Sequence, residues 1–108
     1  MIANNLTPAM EVHPGEIIRD ELKFRGISQR KLARTINVSP TIINELLQGK
    51  RQLNVELALL VCAALDIDAE PLMELQTKYN ITKAKRNEEF QERIMAIMNA
   101  RLVTCGIA

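Results

Sequence analysis

Apolar residues recur along this chain at spacings of three and four, and no stretch makes a convincing strand. Ile17, Ile18 and Leu22 make the first apolar face, after a start at His13-Pro14-Gly15-Glu16 in which Pro14 suits a first turn and Glu16 the positive helix end. Gly26 stops that helix, and Ile27 is expected to tuck inward before Ser28. Ser28 as N-cap opens a second helix with Leu32, Ala33 and Ile36 on one face. Asn37-Val38 breaks the run. Ser39 caps a third helix with Pro40 at its first position, Ile43, Leu46 and Leu47 on its buried side and Gly49 just past its end.

The fourth set, Val55–Leu65 behind an Asn54 cap, has no polar face, which predicts burial on more than one side. Something must therefore cover Leu60. A fifth helix runs from an Asp68 cap to about Tyr79, with Leu72, Leu75 and Tyr79 inward, and Lys83–Asn87 reads as a polar connector. From Glu88 to about Val103, Phe90, Ile94, Ile97, Met98 and Leu102 make an amphipathic sixth helix. Its stripe is the chain's one unassigned apolar surface, so it is expected to pack with Leu60, within a protomer or across a dimer. The predicted fold is all-α: a five-helix domain with an extra C-terminal amphipathic helix. The boundaries drawn are a flexible arm over 1–12, a domain over 13–81 and an extension over 82–108.

Composition narrows this reading. Aromatics make up 3% of 108 residues, so aliphatic side chains must fill the core, which suits helices and not a β-sandwich. No apolar run approaches the roughly 18–20 residues of a membrane span. The start MIANNLTPAMEV lacks a signal peptide's basic and apolar regions. Two cysteines, Cys62 and Cys105, make no disulfide framework, so a cytoplasmic setting is expected. A single histidine and no paired carboxylates give no catalytic or metal site, so neither an enzyme nor a cofactor is expected. The net charge is only +1, yet Arg19–Leu53 carries eight bases against three acids, a local excess of five. That excess coincides with Ser28–Gln48, whose small Ala33 and turn residue Asn37 have the form of a helix-turn-helix, the motif whose second helix enters a DNA major groove. A basic flank is the electrostatic footprint of phosphate binding.

The run His13-Pro14-Gly15-Glu16-Ile17-Ile18, then Gly26-Ile27-Ser28-Gln29, Leu32-Ala33, Val38-Ser39, Gly49-Lys50-Arg51 and Leu75-Gln76, resembles the HigA or VapI-type antitoxins of the Cro/cI (XRE) helix-turn-helix class, over about residues 13–81. The resemblance implies a lambda-repressor-like domain that binds operator DNA as a homodimer, represses its own operon and neutralises a RelE-like toxin that cleaves mRNA. It also implies that Gln29 meets a phosphate, that Pro40, Thr41 and Asn44 face the groove, that Lys50 and Arg51 lie along backbone phosphates, and that Arg30 and Ser39 belong to the DNA-binding set. Glu45 has two readings: acceptor from a cytosine, or repulsive filter against wrong sites. Three departures stand out. Pro71-Leu72 replaces an aromatic corner, Leu60 stands at a usually charged position, and the tail beyond Thr82 is long. Leu60 with Phe90, Ile94, Ile97, Met98 and Leu102 is the expected dimer or partner surface. The rival readings are a stand-alone regulator without a toxin and a protein-interaction adaptor that has lost DNA.

Overall fold

The computed structural model describes residues 9–102. Among them are six helices and no strand: α1 Pro14–Arg25, α2 Gln29–Ile36, α3 Pro40–Leu47, α4 Val55–Leu65, α5 Ala69–Lys85 and α6 Glu88–Asn99. Contacts divide the chain into a unit of Glu11–Tyr79 and a second that includes Asn80 onward. Most of the arm expected at 1–12, together with Val103 and Cys105, lies outside the described residues.

Local chemistry sets the helix ends. Ser28 Oγ accepts from the Lys31 N–H at 3.1 Å, Ser39 Oγ from Thr41 at 3.2 Å and Asn54 Oδ1 from Leu57 at 2.8 Å. Asn37 adopts φ 56°, the left-handed conformation that Asn tolerates, and this reverses the chain within the two residues that separate α2 from Ser39 and Pro40. The first helix has a less obvious cap: the buried His13 accepts the Gly15 N–H on Nδ1 at 2.9 Å and sets its ring edge-on to Tyr79 at 4.9 Å.

Ile18, Leu32, Ile43, Leu46, Leu47 and Val61 centre the core of the first unit. Ala33, 2% exposed, lets α2 and α3 meet closely. Gly15 is needed for a similar reason. A Cβ there would lie 1.9 Å from the Leu46 carbonyl oxygen, so the start of α1 abuts the end of α3 backbone to backbone. Beyond α3, the buried Leu53 N–H donates to Gln76 Oε1 of α5 at 2.7 Å. Gln76→Ala should strand that N–H and cost about 1–3 kcal/mol. Gln76→Glu, which keeps an acceptor, should cost less, and denaturant titration of the two variants checks the order.

Four expectations change. Ile17 is exposed, because neighbours on a helix point about 100° apart and Pro14, Gly15, Ile18 and Leu22 take the buried side. The fourth helix buries one side only: Leu57, Ala58, Val61, Cys62 and Leu65 are inside, while Val55, Leu59 and Leu60 are open. The fifth continues to Lys85, since a polar sequence without Gly or Pro does not break a helix and Lys83 and Lys85 suit its negative end. The sixth stops at Asn99, has no buried residue and leaves Leu102 beyond its end. Burial, and next the charge of Asp68, push the Cys62 thiol up, which keeps it a protonated, small core residue.

Candidate nucleic-acid interface

The third helix is built as a plate with two faces. Ile43, Leu46 and Leu47 are fully buried, so the 3.6-residue period turns Pro40, Thr41, Asn44 and Gln48 to solvent. The second helix presents Gln29 and Arg30, both exposed, at its start. Arg30 and Arg34, one turn apart, rim a concavity with Asn37, Ser39 and Pro40 at the turn. Ser39 is exposed but spends its hydroxyl oxygen on the Thr41 N–H.

The loop after α3 is tied to the helix by its backbone. The Gly49 N–H donates to Leu46 O at 3.0 Å and the Lys50 N–H to Glu45 O at 2.9 Å, with Gly49 at φ 75°. Lys50 and Arg51 are thereby held exposed beside the helix they follow. The Arg51 guanidinium turns back on Glu45, with Nε and Nη2 donating to Oε1 at 3.0 and 2.8 Å. Glu45 is half-buried and engaged, which bears on both of its sequence readings. Asn44 Oδ1 accepts a long bond, 3.4 Å, from Gln48 Nε2. Gln48 therefore shares the exposed face and was absent from the expected set. Its polarity one turn after Asn44 was the available signal.

The expected partner surface divides. Phe90, Ile97 and Met98 are exposed on α6, Ile94 is half-buried and Leu102 lies past the helix. Leu60 is exposed on α4, in the other unit. That unit also carries an open apolar groove between α4 and α5, floored by Val55, Leu59 and Met73 and edged by Glu70, Glu74 and Lys78. Among the described residues, no group of three or more His, Cys, Asp or Glu could hold a metal ion, and no helix is long and apolar enough to cross a membrane.

Comparison with known proteins places this geometry. A helix-turn-helix family model matches residues 18–72. Virulence-associated protein I of Dichelobacter nodosus is 35% identical over 79 residues, 72% of this chain and 73% of that one. Pseudomonas aeruginosa antitoxin HigA, solved with the higBA promoter, is 32% identical with a TM-score of 0.70, over 78% of this chain and 92% of that one. A further structure from Pseudomonas aeruginosa, solved in complex with operator DNA, is 35% identical with a TM-score of 0.64, over 70% and 84% of the two chains.

Proposed function

As the chain belongs to the XRE-type helix-turn-helix family, among relatives that include Virulence-associated protein I and an antitoxin HigA, we propose that it is an operator-binding antitoxin that represses its own operon. The observation that carries the DNA reading is the two-faced third helix. Its back is locked into the core by Ile43, Leu46 and Leu47, so Thr41, Asn44 and Gln48 form a rigid polar edge for base contacts. Gln29, Arg30 and Lys50 flank that edge as phosphate contacts, which set register.

A homodimer would present two such helices about 34 Å apart, one DNA turn. The exposed apolar groove of Val55, Leu59 and Met73 supports an association surface away from α3. A RelE-like, mRNA-cleaving toxin is the proposed protein partner, supported by the antitoxin relatives. Coexpression with a neighbouring RelE-like reading frame, followed by sizing, tests that part; separate elution would leave a DNA-binding regulator without a toxin.

The DNA part is tested by salt. Operator affinity should fall steeply between low and physiological salt, with a log–log slope of roughly one per phosphate neutralised. Lys50→Ala should weaken specific and non-specific duplexes alike and reduce that slope by about one. Affinity that stays flat with salt would remove the DNA reading.

A further inference from the structure

Glu45 is an acid on the helix proposed to enter a phosphate-lined groove, and Arg51 is a base that spends two donors on it. An exposed pair of this kind adds little to stability, so stability does not explain it. The geometry suggests another use. Arginine has five N–H donors in one plane. Glu45 Oε1 takes one from Nε and one from Nη2, which leaves three, two of them side by side on the Nη1–Nη2 edge. The pair is about two-fifths exposed, so that edge is open to a ligand. The loop that carries Arg51 is itself anchored, because the Glu45 backbone carbonyl accepts the Lys50 N–H at 2.9 Å.

We infer that Glu45 is a positioning residue that sets DNA discrimination through Arg51. It holds the guanidinium in one orientation, so Arg51 can grip a phosphate with its free edge only when the third helix is seated in register. An unclamped arginine reaches a phosphate in any register. The carboxylate also repels phosphates generally, which lowers affinity for every duplex alike, while the gap between right and wrong ones comes from the orientation it imposes on Arg51. Glu45 therefore contacts no base. This inference rests on the DNA reading above.

The test uses the full-length protein, duplexes recovered by wild type from a random pool, and a scrambled duplex. Glu45→Ala should tighten the scrambled duplex several-fold and compress the specific-to-scrambled ratio about tenfold, with a non-specific salt slope about one unit steeper. Glu45→Gln keeps an acceptor for Arg51 and should retain most of the ratio while tightening both duplexes. In an Arg51→Ala background, Glu45→Ala should leave the ratio within about twofold. A compressed ratio in that background would mean Glu45 reads a base and would overturn the inference. An unchanged ratio with a lowered melting temperature would make the pair a structural staple and overturn it as well. If wild type recovers no preferred sequence, the DNA reading itself fails, and this one falls with it.

Discussion

Adding one methyl group at Gly15 is expected to cost the fold on the order of 3 kcal/mol, the upper end of ordinary overpacking. The new Cβ would meet the Leu46 carbonyl oxygen at 1.9 Å and its carbon at 2.9 Å, and both are backbone atoms of a helix that also packs on α2. No flexible side-chain end is available to give way. Relief requires the start of α1 to slide off the end of α3, which opens Ile18 and Leu46 to water, and the Cβ also crowds the capping His13 Nδ1 at 3.1 Å. Gly26→Ala separates sterics from torsion. Nothing lies within 4 Å of its Cβ position, yet φ is 69°, so the cost should be only the left-handed penalty of about 1–2 kcal/mol. Urea titration should show a lower midpoint for both variants with an unchanged slope. A Gly15→Ala protein no weaker than Gly26→Ala would mean that α1 and α3 do not abut.

That contact marks where sequence reading stops. Ser28, Asn37, Ser39 and Gly49 were legible because each acts on backbone within a few residues, through a short side chain or a positive φ. The role of Gly15 was not, since its neighbour Leu46 is distant in sequence and no local pattern encodes their meeting. The bond from Leu53 to Gln76 escapes for the same reason. The Glu45–Arg51 pair is six residues apart, which is no helical spacing; only the turn at Gly49 brings the two together. Polarity misled at Lys83, because charge alone does not end a helix. The apolar stripes of α4 and α6 were visible, but a stripe states that it needs cover and not what provides it.

Thr41→Ala combined with Asn44→Ala should separate reading from folding in the third helix. Both side chains are exposed, and the one side-chain bond among them, from Gln48 to Asn44, is long at 3.4 Å. Alanine is a good helix former at both sites, so stability should move by no more than about 0.5 kcal/mol. Specific DNA affinity should fall by about 1–3 kcal/mol for each base contact removed, while phosphate contacts keep non-specific binding. Ile43→Ala acts from the opposite face. Ile43 is 0% exposed, and its cavity should cost about 2–5 kcal/mol of stability. Its effect on DNA should then track the unfolded fraction and vanish at temperatures where the variant is fully folded. Band-shift titrations beside circular-dichroism melts measure both quantities on the same preparations. Should the double variant hold the operator as tightly as wild type, the third helix reads no bases, and the exposed polar face belongs to an adaptor that has lost DNA.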